Sequence, residues 1–102
     1  MKVIFKKSSN SKKKMMAIFY NKGEDGKLKK KKTTHFGAKG YDDYTKTKDK
    51  EQRARYIKRH TNKRENHNNF MSAGSLSRYI LWGESTSIQA NIRSFKRRFN
   101  LS

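Results

Sequence analysis

The sequence has no cysteine. That excludes a disulfide framework, zinc fingers and knuckles built on thiolates, and a thiol nucleophile. It has no long apolar run either: nothing approaches the roughly 18 residues of a membrane span. Met1 to Phe5 is too short, and too soon interrupted by Lys6 and Lys7, to be expected as a signal peptide. The glycine patterns that cradle phosphates, Gly-x-Gly-x-x-Gly and the Walker loop, are missing, as is the Gly-x-Ser-x-Gly elbow of serine hydrolases. Acidic residues are scarce, with 8 Asp and Glu against 27 Lys and Arg. No cofactor and no metal ligand set is expected.

What is present is positive charge and aromatic rings. The formal net charge is +19 over 102 residues, and apolar residues make up only 31% of the chain. Mean hydropathy is -1.22. One domain with a small core and a basic surface is expected. Six Phe, five Tyr and one Trp partly offset the shortage of aliphatic residues, because each ring removes a large area from water. A compact chain with this much like charge favours polyanionic partners. Nucleic acid ranks first, since its phosphates release condensed counterions when Lys or Arg neutralises them. DNA is expected ahead of RNA. Acidic proteins come next, and no membrane partner is expected.

The chain divides at Thr33 to Tyr44, which holds Gly37, Gly40, His35, the Asp42–Asp43 pair and three aromatic rings. Before it the basic residues are all lysine, and after it every arginine appears. The expected division is a β-rich part over 1–36, a hinge over 37–46 and a helical part over 47–102. Val3 to Phe5 and Met15 to Tyr20 are short apolar runs bounded by turn residues, so strands are predicted at 1–5, 15–20 and 27–36. The polar turn 6–14 and the Gly/Asn/Asp-rich loop 21–26 join them. The fold class is therefore α+β: a three-stranded antiparallel meander followed by two to three short helices.

Thr47 is the expected N-cap of the first helix, with Asp49 and Glu51 in its opening turn and its end near His60. Residues 62–69 are expected to form a polar loop. A short helix is predicted over 75–82, with Gly74 as an interruption before it and Gly83 as its stop. The last helix opens at Thr86-x-x-Gln89, which has the form of a capping box. Ile88, Ile92, Phe95 and Phe99 follow at spacings of four, three and four, one continuous stripe.

The candidate nucleic-acid contacts are the cations that cluster: Lys12, Lys13, Lys14, Lys29, Lys30, Lys31, Lys32, Arg53, Arg55, Arg59, Lys96, Arg97 and Arg98. Lys29 to Lys32 could be a solvated edge strand protected from edge-to-edge pairing. A block of four exceeds that need, so a phosphate-facing strip shared with Lys12 to Lys14 and Lys27 is expected. Tyr41, Tyr44, Tyr56 and Trp82 are candidate platforms for unpaired bases, weighed against ordinary core roles. Asp42 and Asp43 are read as anchors of the hinge through hydrogen bonds and ion pairs. A nuclease set from His35, Asp42, Asp43, His60, Glu65, Asn66 and His67 has suitable ligand types but no predicted geometry that unites them.

The ordered series Thr33-Thr34-His35-Phe36-Gly37-Ala38-Lys39-Gly40-Tyr41-Asp42-Asp43-Tyr44-Thr45, Lys48-Asp49-Lys50, Tyr56-Ile57-Lys58-Arg59-His60, Glu65-Asn66 and Gly74 to Trp82 resembles short basic proteins of large nucleocytoplasmic DNA viruses of the marseillevirus and mimivirus type. It covers roughly residues 33 to 83. The resemblance implies a viral setting, in the virion or the host cytoplasm or nucleus, and supplies no catalytic residues. The combined expectation is a non-enzymatic, largely sequence-independent nucleic-acid-binding protein that packages or organises viral DNA. A viral assembly protein that binds acidic viral or host proteins is the alternative, followed by a small metal-dependent nuclease.

Overall fold

Alternation along Val3, Phe5, Met15, Ala17 and Phe19 gives the first strands one apolar face, and the rest of the chain is folded onto it. The computed structural model describes residues 1–62 and 69–102. Strands β1 (Lys2–Lys7), β2 (Lys13–Lys22) and β3 (Leu28–Ala38) form an antiparallel meander in the order β1-β2-β3. Four short helices follow: α1 (Tyr44–Thr47), α2 (Lys50–Asn62), α3 (Ala73–Leu76), which runs directly into a π-helical turn over Ser77–Leu81, and α4 (Ile88–Arg98). The expected α+β architecture is the one observed.

Register explains the core. Val3 lies opposite Phe19, Phe5 opposite Ala17, and Met15 opposite Phe36. These side chains share one face of the sheet. Val3, Ala17, Phe19 and Phe36 are buried there with Tyr44, Leu76, Ile80, Leu81, Trp82, Ile92 and Phe95. The stripe on α4 supplies Ile92 and Phe95, with Ile88 and Phe99 half-buried at its ends. The Phe5, Tyr79 and Phe99 rings surround Phe95 at centroid distances of 5.8, 6.4 and 4.9 Å. The opposite face carries Ile4, Ile18 and Thr33 in one row, and Lys2, Tyr20 and Lys30 in the next. Among the described residues, no helix is long and apolar enough to cross a membrane.

Several local expectations are corrected by hydrogen bonding. The cap of α2 is Asp49 rather than Thr47, because Asp49 Oδ1 accepts from the backbone N–H groups of Glu51 and Gln52 at 3.0 and 3.1 Å. Thr47 instead closes α1, and Lys48 joins the two helices at φ 58°. The cap of α4 is Ser87, one residue later than the expected box, with its side chain accepting from Ala90 N. Gly74 does not interrupt a helix but lies inside α3, whose start is capped by Ser72. The strand β3 also runs past residue 36 to Ala38, two residues into the expected hinge. The expected polar loop over 62–69, with Glu65, Asn66 and His67, lies almost wholly outside the described residues.

Gly83 ends the π turn for a steric reason. A Cβ there would collide with the Tyr79 carbonyl and the Asn91 amide. Asn91 is buried; its Nδ2 donates to the carbonyls of Ile80 and Ser85, and its Oδ1 accepts from Ser85 N. All its polar capacity is spent on holding the turn against α4.

Candidate functional site

The outer end of the β2–β3 hairpin is set by a difference in strand length. β1 reaches only to Lys2, level with Tyr20 and Lys30. Beyond that row β2 and β3 pair with each other alone, Asn21 with Lys29 and Lys22 with Leu28. The turn is held internally: Gly23 N donates to the Lys27 carbonyl at 2.8 Å, and Lys27 N to Asp25 Oδ1 at 3.0 Å. Lys22, Lys27 and Lys29 to Lys32 are all exposed. The register shifts between Phe19 and Tyr20, which lie opposite Lys32 and Lys30, so Lys31 is the extra residue of a bulge. Bulges twist a strand and re-aim its side chains. Here Lys30 stands level with Tyr20 and Lys32 with Phe19, on opposite faces of the sheet. Among the described residues, ion pairs involve Lys14 and Lys46, and no lysine of this hairpin end takes part in one.

The expected strip joining Lys29–Lys32 to Lys12–Lys14 does not form. Lys13 lies opposite Ala38, whereas Lys29 lies opposite Asn21. Even the nearest row of that block, Lys32 opposite Phe19, is six positions along β2 from Lys13, roughly 20 Å of extended chain. Lys12 is exposed on the β1–β2 turn, Lys13 is half-buried, and Lys14 has turned inward. Its Nζ is 2.6 Å from Asp43 Oδ2 and also donates to the Tyr41 carbonyl. The Asp43 side chain is only 5% exposed and that of Lys14 21%. Asp43 further accepts a hydrogen bond from the Thr45 hydroxyl. Asp42 is different: its carboxylate is 53% exposed and 3.6 Å from Lys46.

The arginines divide in the same way. Arg53 Nε donates to the carbonyls of Trp82 and Gly83, and its guanidinium lies over the Tyr44 ring. Arg78 also donates to the Trp82 carbonyl. Burial first, and then the neighbouring Arg53 charge, lower the Arg78 pKa from its ordinary value, though a guanidinium remains a cation in any ordinary buffer. Arg98 lies 4.7 Å over the Tyr79 ring. Lys96 is half-buried in the last turn of α4, where Arg97 is exposed. Arg55 and Arg59 are exposed on α2, and neither is paired with an acid among the described residues.

Arg55 and Arg59 open onto a cavity of about 830 Å³ between the hinge, α2 and the π turn. Gly37 and Gly40 are among its lining residues and adopt φ of 77° and 87°, which glycine tolerates best. A Cβ at Gly37 would also run into Leu81. The Tyr56 ring stacks on Trp82 at 4.1 Å and meets the tilted His60 ring at 4.0 Å. Tyr44 is buried core, so of the four candidate platforms Tyr41 has the freest ring, at 71% exposure.

His35 is held elsewhere, hydrogen-bonded through Nδ1 to Ser8 Oγ at 2.7 Å. Among the described residues no three His, Asp or Glu side chains group as metal ligands.

Sequence reasoning did not place Lys2 and Lys22 beside the lysine block. The strand pairing, which sets Lys2 level with Tyr20 and Lys30, and Lys22 opposite Leu28, is what places them there. Nor did it join α2 to the π turn, because the Tyr56 and Trp82 rings that make the contact are distant in sequence.

Residues 3–60 match the model of a family of unknown function, DUF5754. The chain belongs to that family. No curated protein and no solved structure matches the chain. The DUF5754 segment contains the sheet from Val3 onward, the hinge and α2 as far as His60, and with them the hairpin lysines and most of the cavity lining. Ser77, Leu81 and Trp82, which close the cavity, lie outside the DUF5754 match.

Proposed function

We propose that this protein binds nucleic acid through its phosphate backbone, without catalysing a reaction and without reading base sequence. One observation carries the reading. The free end of the β2–β3 hairpin, with the edge strand β3 that leads from it, presents Lys22, Lys27 and Lys29–Lys32 to solvent with no ion-pair partner among the described residues, in a chain of net charge +19. The two-stranded tip, Asn21 and Lys22 against Leu28 and Lys29, is narrow enough to enter a groove of duplex DNA. Lys30 and Lys32 follow on the edge strand β3, on opposite faces of the sheet, where phosphates on either side of a groove can be met together. Ammonium groups are flexible point charges that neutralise phosphates without selecting bases.

The test is duplex binding measured across a salt series. Several phosphate contacts made together give a slope of log affinity against log salt of roughly -0.9 per contact. Affinity that barely changes between low and physiological salt refutes the reading. So does an acidic polypeptide that displaces the duplex at equal charge concentration, because the surface would then be a general acceptor of acidic partners.

A further inference from the structure

The cavity beside the hinge is a second surface of different chemistry from the hairpin, and we infer that it binds a single unpaired nucleotide, with the phosphate on Arg55 and Arg59 and the base against Tyr41. The inference deepens the nucleic-acid reading and rests on it for its strand-bound form. Its size is appropriate: about 830 Å³ lies within the usual range for small-molecule sites.

Both arginines stand on the cavity side of α2, at a spacing of four residues that puts them on one face. With no acid paired to either among the described residues, their forks are available to an anion. Guanidinium geometry suits phosphate oxygens in pairs. Tyr41 lines the same cavity and is 71% exposed. An exposed aromatic beside unpaired cations is the arrangement on which an unpaired base stacks while its phosphate is neutralised.

The carboxylates argue for a nucleotide over a bare anion. Asp43 is already neutralised by Lys14. Asp42 also lines the cavity, half-exposed and in an open pair with Lys46, and its carboxylate can accept from a sugar hydroxyl or a base amino group, which a bare anion does not offer. The cavity lining includes Ser77 and Leu81 of the π turn, and Trp82; π-helical turns occur frequently at functional sites. A paired base inside a duplex cannot enter, so the site distinguishes single strands, frayed ends and free nucleotides from continuous duplex.

Trp82 is the one tryptophan of the chain, so its emission reports occupancy of the cavity directly. Four probes are titrated against the full chain: adenosine monophosphate, inorganic phosphate, a short single-stranded oligonucleotide, and a blunt duplex. Adenosine monophosphate and the single strand are expected to change Trp82 emission, and inorganic phosphate to bind at least about tenfold more weakly, for want of stacking. Arg55→Ala with Arg59→Ala is expected to weaken both of the former about tenfold or more. Lys58→Ala with Arg93→Ala removes the same charge outside the cavity and should weaken them far less. Tyr41→Ala should weaken adenosine monophosphate and leave inorganic phosphate unchanged.

The inference is overturned if adenosine monophosphate and the single strand leave Trp82 emission unchanged, if the Arg55/Arg59 variant behaves like the Lys58/Arg93 variant, or if inorganic phosphate binds as tightly as the nucleotide. Duplex binding with a steep salt slope in any of those cases leaves the hairpin reading standing alone. Nucleotide binding without any strand binding does the opposite: the cavity is then a site for free nucleotides, and the hairpin reading falls.

Discussion

The rings of Tyr56 and Trp82 lie 4.1 Å apart with their planes 6° from parallel. This contact ties the middle of α2 to the end of the π turn, and so sets one wall of the cavity. Stacked pairs contribute about 0.5–1.5 kcal/mol beyond the area they bury. Tyr56→Leu keeps an apolar side chain but removes the stack. It is expected to lower stability by about 1 kcal/mol and move Trp82 emission to longer wavelength as water reaches the indole. A melt and an emission spectrum check both, and an unchanged spectrum would mean that α2 does not rest on Trp82 in solution.

Asp42 and Asp43 are neighbours in sequence with unequal roles. Asp43→Asn removes the carboxylate that holds Lys14 and Thr45, and is expected to cost about 1.5–3 kcal/mol, the usual worth of a hydrogen bond to a charged group. Asp42→Asn disturbs only an exposed pair with Lys46, so its cost should stay below about 1 kcal/mol. Neither is expected to weaken duplex binding. Denaturant melts of the two variants side by side decide the matter, and equal costs would show that the Lys14–Asp43 pair has no special weight.

Phe95 is 1% exposed and touches rings from β1, the π turn and α4 itself. Phe95→Ala should cost about 3–5 kcal/mol. Small domains have only about 5–15 kcal/mol of stability to lose, so the melting transition should fall sharply or vanish. An unchanged transition would mean that α4 is not part of the folded core.

Gly83→Ala tests packing without changing charge. Its new methyl meets backbone and the fixed Asn91 amide, so neither side can yield cheaply. A loss of about 1–3 kcal/mol is expected from overpacking. Full retention of the melting temperature would show that the junction between the π turn and α4 is loose.

Replacing Lys29–Lys32 by alanine should lower duplex affinity and reduce the salt slope, by roughly 0.9 for each phosphate that is no longer neutralised. Stability should hold or rise, since these exposed lysines repel one another. Fluorescence anisotropy at several salt concentrations, with a melt, checks both outcomes. An unchanged slope would place the phosphate-binding cations elsewhere on the surface.

The meander and the last helix are legible because their signals are local. The apolar runs Val3 to Phe5 and Met15 to Tyr20 mark strands, and the stripe of Ile88, Ile92, Phe95 and Phe99 marks which face of the last helix turns inward, before any partner is known. Net charge likewise determined the class of partner to test. The caps differ from expectation by one or two residues, at Thr47 and Thr86, because several Ser, Thr and Asp side chains compete for the same first-turn amides and geometry selects among them. Only the tertiary structure decided which cations are free. Lys14 and Arg53 look like their neighbours in sequence, yet one is held by Asp43 and the other by the Trp82 and Gly83 carbonyls, so neither charge is as available as that of Arg55 or Arg59. The distance between the two lysine blocks depended on strand register, and the cavity on a contact between the hinge, α2 and a turn more than twenty residues further along. Long-range contacts of that kind come from packing a few rings against one sheet face, and no periodicity in the sequence encodes them.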